Sequence, residues 1–207
     1  GVLVVSAASL QLSGPGLARE VVRLGEAIGV EQPVTAVLVV FRGYDTWLEL
    51  AVLLATLLAV LGTRPFAELP EREGDGGPDP LLSRAVRVLV PLAGLVAGYL
   101  LWQGSYGPGG AFQGGAVVAA AIALGFMAGH SIFGWLRSRA CLALILAGFA
   151  VPIVLTLPQL VGGVPLFTFP AEGTGALVIL IEIAIGVSVA LLLSLLLLGA
   201  ERSEVGE

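Results

Sequence analysis

Three ionisable residues interrupt the apolar stretch 33–62 at helical spacing: Arg42, Asp45 and Glu49. On an α-helix, positions i, i+3 and i+7 project from one face, so these side chains form one cluster with one acid in excess. One interpretation is an ion pair that anchors the helix end among lipid headgroups. The alternative is a polar relay or a docking point, because ionisable groups in membrane spans usually face protein or a water-filled cavity.

Two further ionisable residues lie in or near apolar runs. Glu182 is the one charged residue of the run 175–200, and His130 lies near the end of the run 114–135. An acid at the centre of a spanning helix costs roughly 2.5–3.5 kcal/mol on insertion scales. Glu182 is therefore predicted to contact a partner chain or, more directly, a cation or a proton. For His130 two alternatives stay open, a packing role and a proton-handling role.

A glycine-rich segment, GSYGPGGAFQGG at residues 104–115, separates two long apolar runs. Glycine tolerates backbone angles that other residues avoid, and proline fixes its own φ and lacks an N–H donor, so the segment is predicted to be a turn. The predicted turn residues are Gly107, Pro108, Gly109, Gly110, Gly114 and Gly115. A turn at membrane depth needs protein or water to satisfy its backbone. The alternatives are a flexible loop and a turn packed closely against neighbouring helices.

Composition limits the class of protein and the chemistry available to it. The 207 residues are 57% hydrophobic and 12% charged, whereas soluble domains have about 25% charged residues, so the chain is predicted to be an integral membrane protein. The net charge of -5 argues against nucleic acid as a partner. One histidine and one cysteine form neither a zinc site nor an internal disulfide. No catalytic residue, metal or cofactor is predicted.

The apolar runs predict an all-α, polytopic membrane protein with about six transmembrane helices. The first of these, within residues 1–12, is expected to be incomplete at its N-terminus. The remaining predicted spans are 33–62, 85–102, 114–135, 141–163 and 175–200. A polar linker rich in proline and glycine, 63–83, is expected to separate a unit at 1–62 from a four-helix membrane domain at 84–200, with a tail at 201–207.

Arginine placement predicts the orientation of these spans. All ten cations are arginines, concentrated in the 63–87 region and, in part, in the 136–140 loop, whereas the loops 103–113 and 164–174 contain none. By the positive-inside rule, the arginine-bearing loops face the cytoplasm and the glycine-rich turn faces outward. Gly94 and Gly98, four residues apart, are expected to form a small-residue face for close helix contact.

Two stretches resemble components of Mrp-type multisubunit sodium/proton antiporters. Residues 34–62, VTAVLVVFRGYDTWLELAVLLATLLAVLG, resemble the end of the large A subunit and the small E subunit of related membrane-bound hydrogenases. The shared residues are Arg42, Gly43, Asp45, Thr46 and Glu49. GSYGPGGAFQGGAVVAAAIAL and the later EGTGALVILIEIAIGV resemble the B subunit of the same antiporters. The order of the two stretches suggests a fusion of the two subunits.

The resemblance implies a small membrane subunit of a cation/proton antiporter module that supports sodium/proton translocation beside larger antiporter-like subunits. It places the chain in the plasma (inner) membrane of a prokaryote, in contact with lipid and with other membrane subunits, and it implies no enzymatic activity of the chain's own. The same module in an energy-converting redox complex, such as a membrane-bound hydrogenase, is one alternative. A structural spacer with no ion pathway is another.

Overall fold

The computed structural model describes residues 19, 21–23, 30–41, 43–63, 80–130, 133–136, 138–163 and 174–200. Within these ranges the chain is helical apart from turns and short connections, and it contains no strand. This confirms the predicted all-α class. The expected incomplete first helix at residues 1–12, most of the 63–83 linker and the 201–207 tail lie outside the described residues, and the predicted division into domains stays a prediction.

The described elements follow the predicted spans, with changes at several boundaries. They are α1 (Pro33–Thr35), the π-helical segment π1 (Ala36–Phe41), α2 (Gly43–Thr63), α3 (Pro80–Gln103), α4 (Ala111–Met127), α5 (Phe133–Leu136), α6 (Arg139–Val161) and α7 (Thr174–Ala200). Among the described residues, four helices are long and apolar enough to cross a membrane, namely α2, α3, α6 and α7, and α4 is a shorter apolar helix of 17 residues. The chain is a multi-pass membrane protein.

The predicted single span 33–62 is wrong in its first third, because π1 separates α1 from α2. The hydroxyl of Thr46 donates to the carbonyl of Leu38 at 2.8 Å. Residues eight apart on a straight α-helix are separated by about 12 Å along its axis, so this hydrogen bond requires a break in the helix between the two residues. π-helical turns are often found at functional sites, and this one lies directly before the predicted cluster of ionisable residues.

The predicted span 114–135 is also wrong, because α4 ends at Met127. Gly129 adopts φ +87°, its N–H donates to Phe126 O at 2.9 Å, and His130 N–H donates to Gly125 O at 3.1 Å. These two bonds form a Schellman motif, in which a left-handed glycine satisfies the last carbonyls of a helix. Gly129 therefore ends α4, and the short helix α5 follows as a separate element.

Helix α7 lies at the centre of the bundle and contacts α2, α3, α4 and α6. It is apolar on every side, which is the pattern of a helix surrounded by others. Val178, Ile181, Val189 and Leu192 are fully or almost fully buried in the core. The hydroxyl of Ser188 donates to Ile145 O at 2.8 Å and so joins α7 to α6. Four helices thus hold α7, and any polar group on it, in a fixed position.

Glycines bring α4 within backbone contact of α7. A Cβ built on Gly115 would lie 2.8 Å from Gly186 O and 2.8 Å from a methyl of Val189, closer than real Cβ atoms come. Gly114 would similarly meet Ala97 O of α3 at 3.1 Å. The expectation that Gly114 and Gly115 belong to the turn is wrong, since both lie in the first part of α4. They are small because two neighbouring helices pack against them, not because the chain turns there.

Candidate functional site

The turn between α3 and α4 comprises Gly104–Gly110 and packs against other parts of the chain. Gly104 N and Gly110 N both donate to Leu100 O, at 3.0 and 2.9 Å, which folds the turn back onto the end of α3. A Cβ on Gly109 would collide with that same carbonyl. Gly110 has φ 124° and ψ -177°, a region that is essentially restricted to glycine. Pro108 lies on the exposed side of the turn, and Gly107 is buried.

Two residues, one directly before α1 and one in it, donate to carbonyl groups of the turn. Gln32 N donates to Ser105 O at 2.9 Å, and the hydroxyl of Thr35 donates to Gly104 O. Ser105 is 1% exposed and Thr35 is 5% exposed, so these contacts are shielded. Protein thus satisfies these two carbonyl groups, as a turn at membrane depth requires. These contacts correspond to the close-packed alternative and not to a flexible loop.

The carboxylate of Glu182 lies against this turn. Glu182 is 4% exposed, and among the described residues its Oε2 atom is buried without a hydrogen-bond partner. A Cβ on Gly104 would lie 2.7 Å from Oε2, and one on Gly110 would lie 3.3 Å from Oε1. The turn and Glu182, which are more than seventy positions apart in the sequence, therefore form one site. The two glycines leave the space that the carboxylate occupies.

The beginning of α4 faces the same carboxylate. Gly110 is the N-cap residue of α4 and provides no side-chain oxygen to the first N–H groups of the helix. A helix N-terminus carries a partial positive charge and favours a nearby anion. Because Gly110 lies beside Oε1, the N-terminus of α4 is placed to compensate the Glu182 carboxylate electrostatically. Oε2 has no hydrogen-bond partner within the part of the chain that the structure describes. A proton, a water molecule or a cation can complete the coordination of that oxygen.

A cavity of about 220 Å³ adjoins Glu182. Its polar side chains come from four parts of the chain and are Thr35, Thr46, Glu49, Gln113 and Glu182. A water molecule occupies about 30 Å³ in the liquid, so the cavity has room for several. Both threonine hydroxyls donate to backbone carbonyls, of Gly104 and Leu38. Among the described residues, the Glu182 Oε2 atom has no hydrogen-bond partner and remains for solvent or an ion.

The predicted cluster of Arg42, Asp45 and Glu49 is divided by this arrangement. Arg42 lies outside the described residues. Asp45 is half-buried and has contacts of its own, whereas Glu49 is exposed and lines the cavity that Glu182 also lines. Asp45 and Glu49, four apart on α2, share a helix face, but the structure associates Glu49 with the site on α7. The sequence predicts one site at Arg42, Asp45 and Glu49 and a separate site at Glu182. In the structure, Glu49 and Glu182 line the same cavity.

His130 lies elsewhere, beyond the other end of α4. Its side chain is exposed, and Nδ1 is 3.2 Å from Gly125 O, the carbonyl that also accepts from the His130 backbone. Because a carbonyl only accepts, Nδ1 carries the proton in this contact. The imidazole thus helps to cap α4. A larger cavity, of about 470 Å³, lies beside His130 and is separate from the Glu182 cavity.

Sequence reasoning does not single out two of the polar groups at the Glu182 cavity, Thr35 and Gln113, and it names Thr46 only among the residues that carry the family resemblance. Thr46 precedes Glu49 by three positions on α2, so helical periodicity could have placed it on the same face. Thr35 and Gln113 carry no such signal, because only the tertiary packing of the turn brings them to the cavity. Within the described ranges, no group of three or more potential metal ligands among His, Cys, Asp and Glu occurs.

Comparisons with known proteins agree with this architecture. Residues 81–196 match the family described as a domain related to the MnhB subunit of Na+/H+ antiporter. A chain of the Mrp complex from Dietzia sp. DQ12-45-1b is similar to 98% of the present chain, with 26% identity and a TM-score of 0.66, and the present chain spans 25% of that chain's length. No curated protein matches the chain.

A second solved structure, the membrane-bound sulfane sulfur reductase, an archaeal respiratory membrane complex, contains a chain of similar fold. The likeness has a TM-score of 0.71 at 23% identity and covers 96% of the present chain and 91% of the other. The family match begins at the start of α3 and extends into α7, so it includes the glycine turn and Glu182. The chain belongs to the family of domains related to the MnhB subunit of Na+/H+ antiporters.

Proposed function

We propose that this protein is a small integral-membrane subunit of an Mrp-type cation/proton antiporter module in the plasma membrane of a prokaryote. In this proposal it supports sodium/proton translocation beside larger antiporter-like subunits. Family membership and the likeness to a chain of the Mrp complex support the assignment to such a module. The observation that carries a role in translocation is the buried Oε2 atom of Glu182, which has no hydrogen-bond partner among the described residues and belongs to a side chain that lines a cavity.

The argument begins with the energy of a carboxylate at membrane depth. An unpaired charge at the centre of a spanning helix costs roughly 2.5–3.5 kcal/mol on insertion scales, so it persists where something compensates it. The N-terminus of α4 provides part of that compensation, and the cavity gives access to water. A bound sodium ion or proton would provide the rest. Glu182 is therefore the residue of this chain that we assign to direct ion contact.

Glu49 extends this site toward α2. It lines the same cavity, and it is exposed in the isolated chain, whereas Glu182 is buried. An ion or proton that reaches Glu182 through this cavity passes a second carboxylate. We assign Glu49 to the entrance of the path and Glu182 to its inner end. The chain has no lysine. The resemblance implies that lysine-bearing proton channels lie in the larger antiporter-like subunits, and the absence of lysine here agrees with that division.

The other predicted site residues have different proposed roles. Arg42 and Asp45 are three positions apart, and we assign them to docking on a neighbouring subunit. The glycine turn positions the Glu182 carboxylate, since Cβ atoms at Gly104 and Gly110 would approach its two oxygens. We assign His130 no ion contact in this proposal, because it lies beyond the far end of α4 and its Nδ1 is bonded to Gly125 O.

The same module in an energy-converting redox complex is the second candidate. The observation in its favour is the likeness to the sulfane sulfur reductase chain, which the present chain covers over 91% of its length. The two candidates differ in their partner chains. Affinity purification of the tagged chain from its native membrane, followed by mass spectrometry of the co-purifying subunits, separates them. Iron–sulfur or other redox subunits select the second candidate, and antiporter-like subunits alone select the first.

Substitution of Glu182 tests the role in translocation. Glu182→Gln keeps the shape of the side chain and removes its charge, and we expect sodium/proton exchange by the reconstituted complex to fall at least about tenfold, which corresponds to roughly 1.4 kcal/mol. Glu31→Gln is the matched control, because Glu31 is exposed and does not line the cavity. Size-exclusion chromatography verifies that both variants assemble. Exchange at the wild-type rate in Glu182→Gln, at acidic and alkaline pH, would leave the spacer hypothesis as the better one.

A further inference from the structure

The larger cavity is an apolar groove between α3 and α4 with basic groups at one end. It has a volume of about 470 Å³, and Val86, Gly94, Val118 and Gly125 are among the residues of its wall. Arg87 and His130 also line it, and both are exposed. Among the described residues, no heavy atom from outside its own helix backbone lies within 4 Å of a Cβ built on Gly94 or on Gly125. Because glycine has no side chain, the space beside Gly94 and Gly125 is open. At the other end of α4, neighbouring helices fill the corresponding space beside Gly114 and Gly115.

The length of the groove corresponds to one leaflet of a bilayer. Its wall on α3 extends from Val86 to Gly94, which is about 12 Å along a helix. The hydrocarbon core of a bilayer is about 30 Å thick, so one leaflet contributes about 15 Å. Arg87 lies near the start of this wall, on the side that the arginine distribution predicts to be cytoplasmic. The groove thus has an apolar wall as long as half a membrane and a cation near its predicted aqueous end.

We propose that this groove binds an anionic phospholipid of the cytoplasmic leaflet, with an acyl chain along the apolar wall and the phosphate at Arg87. Guanidinium N–H groups form charge-assisted, often bidentate hydrogen bonds with phosphate. The proton on His130 Nδ1 faces Gly125 O, so Nε2 is the acceptor of the ring and can accept a hydrogen bond from a headgroup hydroxyl. Basic pockets between transmembrane helices on the cytoplasmic side are a known form of anionic-lipid site.

A helix of a partner subunit is the other conceivable occupant. A spanning helix crosses both leaflets, whereas this groove has the length of one, and such a helix would need an acid at the level of Arg87. Charge and length together favour a lipid. The proposal does not depend on ion transport by this chain, so its outcome is separate from that of the Glu182 experiment.

Native mass spectrometry of the purified complex that contains the full chain tests the proposal. The delipidated complex is titrated in parallel with phosphatidylglycerol and with phosphatidylcholine. One basic side chain near an anionic surface corresponds to about fivefold in binding, so we expect phosphatidylglycerol to bind at least about fivefold more tightly. Arg87→Gln should abolish this preference. Arg84→Gln, an exposed arginine of α3 outside the groove, should retain it. Equal binding of the two lipids would overturn the proposal.

Filling the groove provides a second, independent test. Gly94→Leu places a side chain in open space inside the groove, so it should displace the bound lipid without disturbing the fold. Gly98→Leu is the matched control, because its Cβ also meets nothing within 4 Å but Gly98 does not line the groove. Retention of phosphatidylglycerol by Gly94→Leu would contradict the proposal. In a Gly94→Cys variant, a disulfide to a cysteine introduced into a partner helix would also contradict the proposal.

Discussion

The two ends of the α3–α4 pair use the same residue types for opposite purposes. At the turn end, Gly104 and Gly115 are places where a Cβ would come within 3 Å of a neighbour, and the carboxylate of Glu182 is buried there. At the other end, Gly94 and Gly125 face open space, and the charged groups are exposed. A glycine in a membrane helix thus marks either a close contact or a gap, and its neighbours determine which.

The charges differ in the same way. Glu182 is held by four surrounding helices and a closely packed turn, so its position is fixed by the fold. Arg87 lies at the border of an open groove and is exposed. A fixed, buried acid is suited to contact with a small ion, and an exposed guanidinium is suited to a lipid headgroup. Substitutions at matched glycines should therefore have unequal effects at the two ends.

The largest effect is expected for Gly115→Val compared with Gly125→Val. A side chain at Gly115 collides with Gly186 O and Val189, so we expect a loss of about 3 kcal/mol of stability from overpacking. Gly125 has no such neighbour, and valine there should change stability by less than about 1 kcal/mol. Thermal denaturation of the purified complex measures both. Similar losses at the two positions would contradict the distinction between contact and gap.

A smaller effect, on transport, is expected for Gly104→Ala. The added methyl would lie 2.7 Å from Glu182 Oε2 and 2.8 Å from Gly110 Cα, so the carboxylate has to move. We expect sodium/proton exchange to fall about tenfold, and the change should have no further effect in a Glu182→Gln background, because the two residues act through one site. Gly94→Ala is the control at the open end. Additive losses in the double variant would show that Gly104 acts independently of Glu182.

Much of the architecture follows from the sequence alone. The apolar runs predict the membrane helices α2, α3, α6 and α7, because uninterrupted apolar length is a local property of the chain. The turn before α4 is also predictable, since Pro108 and Gly110 have backbone preferences that do not depend on the rest of the fold. The positions at which the helices end are less predictable from the sequence. The break at π1 and the end of α4 at Met127 depend on a hydrogen bond of Thr46 and on the left-handed Gly129.

The site depends on contacts between distant parts of the chain, and these are not encoded in local patterns. Glu182 is prominent in the sequence as the one acid of its run, but nothing local indicates that it faces the glycine turn. Two consecutive glycines, Gly114 and Gly115, are typical of a turn, yet both lie in a helix. They are glycines because α3 and α7 approach the backbone of α4 at these positions. The spacing of the ionisable residues at 42–49 predicts that they share one helix face, but it does not predict that Glu49 lines the same cavity as Glu182.

A third prediction concerns assembly of the complex and the two residues that we assign to docking, Arg42 and Asp45. Asp45→Asn removes a charge three positions from Arg42, and we expect the chain's association with its partner subunits to weaken by about 1 kcal/mol, or roughly fivefold, as for a partly exposed ion pair. Glu31→Gln, at an exposed position outside the cluster, is the control. Pull-down of the partner subunits over a range of salt concentrations measures the effect. Unchanged association would remove the docking role from Asp45.

The smallest effect is expected for Gly98→Ala, which tests whether the exposed face of α3 contacts lipid or a partner helix. No atom lies within 4 Å of a Cβ on Gly98, so nothing in the described chain explains why the residue is small there. If this face meets lipid, Gly98→Ala should stabilise the complex by about 0.5–1 kcal/mol, because glycine is the poorer helix former. If a partner helix packs on Gly94 and Gly98, as their spacing predicts, the added methyl should weaken assembly instead. We expect stabilisation, measured by thermal denaturation of the complex. Dissociation of a subunit at lower temperature would show that this gap, unlike the groove beside it, is a protein contact.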